Sequence, residues 1–120
     1  MSHVVQIQTR VQDPAALTAA CCRLGLSEPI QGAAQLYSGE ATGLLVQLPG
    51  WQYPAVIDTL TGTIKYDNFE GHWGDQTHLD RLLQMYAVEK ARLEARKKGL
   101  FVSEQVIQDG SILVQIHETS

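Results

Sequence analysis

The stretch QTHLDRLLQMYAVEKARLEARKK at residues 76–98, followed by GLFVSEQVIQDGSILVQIH at 99–117, decides the fold. Its first part carries a helical period: Leu79, Leu82, Leu83, Tyr86 and Leu93 fall on one face, with Ala87 and Ala91 beside it. Asp75 stands where an N-cap belongs, Thr77 with Asp80 offers an alternative capping box, and Gly99 supplies the stop. The spacing predicts a helix over 76–98, roughly 34 Å long at about 1.5 Å per residue. Beyond it, the β-rich runs Leu100–Gln108 and Ser111–His117 flank Asp109-Gly110, a dipeptide suited to a two-residue hairpin loop. That register sets Ile107 opposite Ile112 and Gln105 opposite Val114.

Upstream, residues 28–68 show no helical period but repeated turn signals: Ser38-Gly39, Thr42-Gly43, Pro49-Gly50 and Thr61-Gly62. Strand-like runs lie between them, at Ala34–Tyr37, Leu44–Leu48, Tyr53–Asp58 and Thr63–Asp67, and short connections favour an antiparallel meander. Leu44, Val46 and Leu48 share a face, and Pro54 marks an edge or a strand's first residue. At the amino terminus Ser2–Arg10 alternates as a strand. Asp13-Pro14 then opens a helix over Pro14–Leu24, with Leu17, Ala20, Cys21 and Leu24 on one face and Gly25 as its stop. The order β-α-β-β-β-β-α-β-β reads as one α+β domain over residues 1–120, a mainly antiparallel sheet with two helices packed on one face.

A chain of 120 residues fits one domain. Apolar residues at 44% and charged residues at 18% are a globular balance, with no run long enough for a membrane helix and no basic-then-apolar secretory start. The reading is a soluble, cytoplasmic protein. A net charge of −4 argues against a general nucleic-acid binder. From Val88 to Gly99 there are five cations (Lys90, Arg92, Arg96, Lys97, Lys98) and two anions, a local +3, while the other 108 residues carry −7. Those cations encircle the helix instead of forming a stripe, which suits helix termination and solubility. Cys21 and Cys22 are adjacent and read as small apolar residues of a partly buried helix, with Cys22 the more exposed.

Two constellations carry candidate chemistry. His72, Asp75 and His78 are the residue types of a two-histidine, one-carboxylate metal site, set against a plainer reading as loop and helix cap. Trp51, Tyr53, Phe69 and Trp73 flank turns in two loops. They would either wedge under those turns to finish a small core or, on one rim, present an interaction surface, with Trp51, Tyr53 and Trp73 as its anchors. His3 and His117 sit on terminal strands that could be sheet neighbours. No nucleophile elbow, phosphate loop or dinucleotide fingerprint is present, so no catalytic residue and no cofactor can be named.

The stretch Tyr66-Asp67-Asn68, His72-Trp73-Gly74-Asp75, Leu79-Asp80-Arg81-Leu82-Leu83-Gln84-Met85-Tyr86-Ala87 and Lys90 resembles the family called domain of unknown function 1257, as do Met1-Ser2-His3 and Asp109-Gly110-Ser111-Ile112. That family includes a hypothetical plastid reading frame also found in cyanobacteria. Val4 departs from the aromatic expected after Ser-His. The resemblance implies a small stand-alone α+β protein without an established activity, encoded at times near AAA+-type ATPases and hence an accessory or adaptor. The expected function is a non-enzymatic protein-interaction module, with such an ATPase as partner and homo-oligomerisation through an open sheet edge as a compatible version. The alternative is a metal-dependent or small-ligand enzyme centred on His72, Asp75 and His78.

Overall fold

A computed structural model describes residues 4–118. The elements follow the expected order: β1 (Val5–Gln8), α1 (Pro14–Arg23), β2 (Ile30–Leu36), β3 (Gly39–Val46), β4 (Ala55–Asp58), β5 (Thr63–Tyr66), α2 (Gln76–Lys97), β6 (Phe101–Val106) and β7 (Ile112–His117). The first five strands form one antiparallel sheet in the order β1-β5-β4-β3-β2, so the meander runs outward from β5 while β1 returns beside it. Both helices cover one face of this sheet. Leu17, Ala20 and Cys21 of α1 and Leu79, Leu82 and Tyr86 of α2 share a core with Val46, Ile57, Ile64 and Tyr66. The opposite face carries a smaller cluster of Leu36, Ala41 and Val56.

Helix boundaries follow local chemistry. Asp13 accepts hydrogen bonds from the amides of Ala15 and Ala16 and caps α1, with Pro14 at its first position. Asp75 caps α2 by accepting from the Thr77 amide at 2.9 Å, so the alternative capping box is not used. Gly25 and Gly99 follow the helices at φ 73° and 72°, a left-handed conformation that glycine adopts without a Cβ penalty. The α1 thiols are both free; Cys21 is buried, which pushes its thiol up to about 11, and Cys22 is exposed.

The carboxy-terminal hairpin departs from expectation in two ways. It forms a separate two-stranded ribbon rather than joining the main sheet. Its register is also shifted by one: Val106 faces Ile112 and Glu104 faces Val114. The Ile107 amide donates to the Ser111 carbonyl and the Gly110 amide to the Ile107 carbonyl, both at 2.9 Å, with Gly110 at φ 88°. Asp109-Gly110 therefore closes a three-residue loop with a left-handed glycine, not a two-residue turn. A one-residue slip moves every side chain to the other face. Glu104, in place of Gln105, thus shares the helix-facing side with Val114.

α2 is a middle layer between the main sheet and the ribbon. Glu104 accepts from Arg92 of α2 at 2.6 Å and is clamped from α1 by Arg23, whose other partner is Glu89. Gln84 donates to the Gly110 carbonyl at 3.3 Å. Between these tethers Val88 is buried, as is Ala95 a little further on. At about 100° per residue Val88 points roughly opposite to Leu79, so α2 is covered on two sides. The apolar face seen in the sequence meets the sheet; the second meets the ribbon. Along α2, Glu94 pairs with Lys90 at 2.9 Å and with Lys97 at 3.4 Å.

A second junction fixes the start of α2. The Trp51 indole is buried, donates to the Asp75 carbonyl at 3.0 Å, and rests on Gly74, where an added Cβ would lie 2.5 Å from the ring. Gly74→Ala should therefore destabilise the fold by about 1–3 kcal/mol, measured as a lowered urea midpoint at unchanged slope.

The ribbon clamp sets an acid limit. Hydrogen bonding to Arg23, reinforced by Arg92, holds the Glu104 carboxyl below its ordinary value of 4.5. The folded-state value is depressed, so the clamp's stabilisation is present above the unfolded-state value and is lost as pH falls through the folded one. Glu104→Gln should cost roughly 1 kcal/mol or less at neutral pH, given solvent screening of the half-exposed arginines. In acid titrations of unfolding free energy, the difference from wild type should vanish below the ordinary carboxylate range.

Candidate functional site

The loop from β5 to α2 is folded by its own backbone. The Asn68 carbonyl accepts from the amides of Gly71 at 3.0 Å and Trp73 at 2.9 Å, and the Asn68 side chain donates to Gln76 at 3.0 Å. Within the turn, Phe69 and Glu70 hold left-handed φ values of 46° and 54°, a strained conformation for side-chain-bearing residues. The Gln52 amide donates to the Trp73 carbonyl at 2.9 Å, tying the loop to the β3–β4 connection.

This geometry separates the two tryptophans that the sequence placed together. Trp51 belongs to the core, 5.7 Å from the Tyr66 ring, and is not part of an exposed rim. Its loop turns inward because Gly74 leaves a flat seat for the indole. Trp73 is half-buried and gathers Phe69 at 4.7 Å, Tyr37 at 5.3 Å and Tyr53 at 5.7 Å between ring centroids. His72 leans edge-on against Phe69 at 4.9 Å. Tyr53 also packs on the small cluster of Leu36, Ala41 and Val56, so the rings roof that second core. Tyr37, at the β2–β3 turn and 55% exposed, was not singled out by sequence. It lies 36 residues before Trp73, and no local pattern joins them.

The three candidate metal ligands do not form a binding group. Among the described residues no three His, Cys, Asp or Glu side chains are placed to hold a metal ion. Asp75 is used as a cap: one carboxyl oxygen accepts from the Thr77 amide, which holds the carboxyl below the usual carboxylate range. His72 is exposed beside Phe69, and His78 sits half-buried on the first turn of α2. His117 lies in the ribbon, stacked on Phe101 at 4.9 Å and bonded to Ser103 at 2.7 Å, away from the sheet of β1. His3 falls outside the described residues.

Two further features had no sequence signal. Asp67, directly after β5, is fully buried, and neither carboxyl oxygen has a hydrogen-bond partner among the described residues. In sequence it resembles any acid at a strand end. An open groove of about 730 Å³ runs between the Gln8–Asp13 connection and α2, floored by Val11, Leu83 and Ala87. Tyr86, expected only as an apolar face residue, tethers that connection. Its hydroxyl accepts from the amides of Gln12 at 3.2 Å and Asp13 at 3.1 Å and donates to the Arg10 carbonyl at 3.3 Å. At the rim Lys90 bridges Asp13 and Glu94, each at 2.9 Å.

Compared with protein-family models, curated proteins and solved structures, the chain matches none. No helix among the described residues is long and apolar enough to cross a membrane.

Burying an unpartnered carboxyl opposes folding by about 1–3 kcal/mol. Asp67→Asn, which removes the acidic group at nearly constant volume, should raise the stability obtained from urea unfolding by about 1 kcal/mol. A lowered midpoint would mean that Asp67 has a partner in the native protein.

Proposed function

We propose that the protein is a non-enzymatic protein-interaction module of the cytoplasm that docks through the aromatic rim centred on Trp73. The observation that supports this reading is the meeting of Tyr37, Tyr53 and Phe69 on one indole, outside the main core and with Tyr37 largely exposed. Aromatic rings bury much area at little entropic cost and supply most interface hot spots. The strained backbone at Phe69 and Glu70 supports the same reading, since such strain gathers where a surface must be held ready.

Charge narrows the partner. Glu70 is exposed beside Phe69, Glu40 is exposed just past the Tyr37 turn, and the body outside residues 88–99 carries −7. A basic segment with an apolar tip is the complementary surface, and cations also favour aromatic faces. The resemblance to the domain of unknown function 1257 family supports an accessory role and offers an AAA+-type ATPase as the partner class.

Affinity capture followed by mass spectrometry tests this. Wild type should retain a specific protein, Trp73→Ala and Tyr37→Ala should each lose it by about tenfold or more, and Leu60→Ala, at a 90% exposed position of another turn, should not. Absence of any specific partner for the wild-type chain would sink the reading.

A further inference from the structure

The ribbon leaves an unusual surface. Of the nine exposed large apolar residues described, five lie in it or its turn: Phe101, Val106, Ile107, Leu113 and Ile116. Among the described residues neither of its strands pairs with the main sheet, so each has one edge without a neighbouring strand there. A two-stranded ribbon is marginal in water and gains from added strands. Proteins normally guard such edges with lysine, proline or an inward charge. In β6 Glu104 is such a charge, turned to the helices. β7 reads Ile112-Leu113-Val114-Gln115-Ile116-His117, with no Lys, Arg, Asp, Glu or Pro.

We propose that β7 is the dimerisation strand, pairing antiparallel with β7 of a second copy about a two-fold axis at Val114. The occupant follows from self-complementarity. Antiparallel neighbours related by a two-fold must match residues of the same face, because paired side chains point the same way. Centred on Val114, the register sets Ile112 against Ile116 of the second copy and Val114 against its own equivalent. Gln115 then meets Leu113, and His117 meets Ser111, so no like charges oppose each other. Ile116, 55% exposed in the single chain, is covered by Ile112 of the second copy. The two ribbons become one four-stranded sheet that keeps its helix-facing side continuous. The contact is isologous and uses each β7 edge once, so it closes at two copies and does not propagate into fibres.

Sedimentation velocity over a concentration series tests this on the full chain. Wild type should show a monomer–dimer equilibrium, and Ile116→Lys should weaken it about tenfold, since the change occurs twice per dimer. Circular dichroism of that variant should be unchanged. In a Cys22→Ser background, Val114→Cys should give an oxidised dimer, whereas Ile107→Cys, at the turn, should not. The crosslink decides the matter if Ile116→Lys is misfolded. A wild type that stays monomeric at every concentration, or a dimer that survives Ile116→Lys and leaves Val114→Cys uncrosslinked, would overturn the proposal.

Discussion

The indole of Trp51 resting on Gly74, with its N–H on the Asp75 carbonyl, is the contact from which both surfaces of this molecule are set. It fixes the β3–β4 connection against the first turn of α2, and Asp75 at once accepts the indole N–H on its carbonyl and caps the helix with its side chain. Two residues earlier, the Trp73 carbonyl receives the Gln52 amide. The chain therefore alternates inward and outward over three residues: Trp73 to the aromatic rim, Gly74 flat beneath Trp51, Asp75 into the cap. Any side chain at Gly74 would separate these roles, because the space it needs is already filled by a ring.

From that start α2 runs between two unlike layers. Toward the sheet it buries Leu79, Leu82 and Tyr86 in the main core. Toward the ribbon it buries Val88 and Ala95 but relies on charge and amide contacts, Arg92 to Glu104 and Gln84 to Gly110. The sheet side is held by area burial, which pH and salt hardly alter. The ribbon side is held by a partly exposed ion cluster, which both alter. The ribbon is thus the less firmly attached layer, and it is also the one with the most uncovered apolar surface.

Legibility followed the range of the interactions. The caps at Asp13 and Asp75, the stops at Gly25 and Gly99, the meander turns at Ser38-Gly39, Pro49-Gly50 and Thr61-Gly62 and the order of all nine elements were readable, since each depends on residues within a few positions. Thr42-Gly43, expected as a turn, instead lies inside β3 and pairs with Gly32 and Ala33 of β2. Phe69, Tyr53 and Trp73 were legible as loop aromatics, yet their assembly with Tyr37 was not, because it joins turns from opposite ends of the sheet. His72, Asp75 and His78 belong to no group of three ligating side chains among the described residues, and one carboxyl oxygen of Asp75 accepts from the Thr77 amide.

The hairpin register shows the boundary most clearly. Asp109-Gly110 announced a hairpin, but the same dipeptide fits a two-residue loop and a three-residue loop with a left-handed glycine. The observed register is the three-residue one, with the Ile107 amide on the Ser111 carbonyl and Glu104, bound to Arg23 and Arg92, opposite Val114. Local pattern was enough for the α+β class, the element order and the helix limits, since propensity, capping and turn chemistry act over a few residues. The buried state of Asp67, the inward turn of Trp51, the two-sided burial of α2 and the face presented by β7 came from packing. Each depends on which distant surfaces meet, and one chain's periodicity does not encode that.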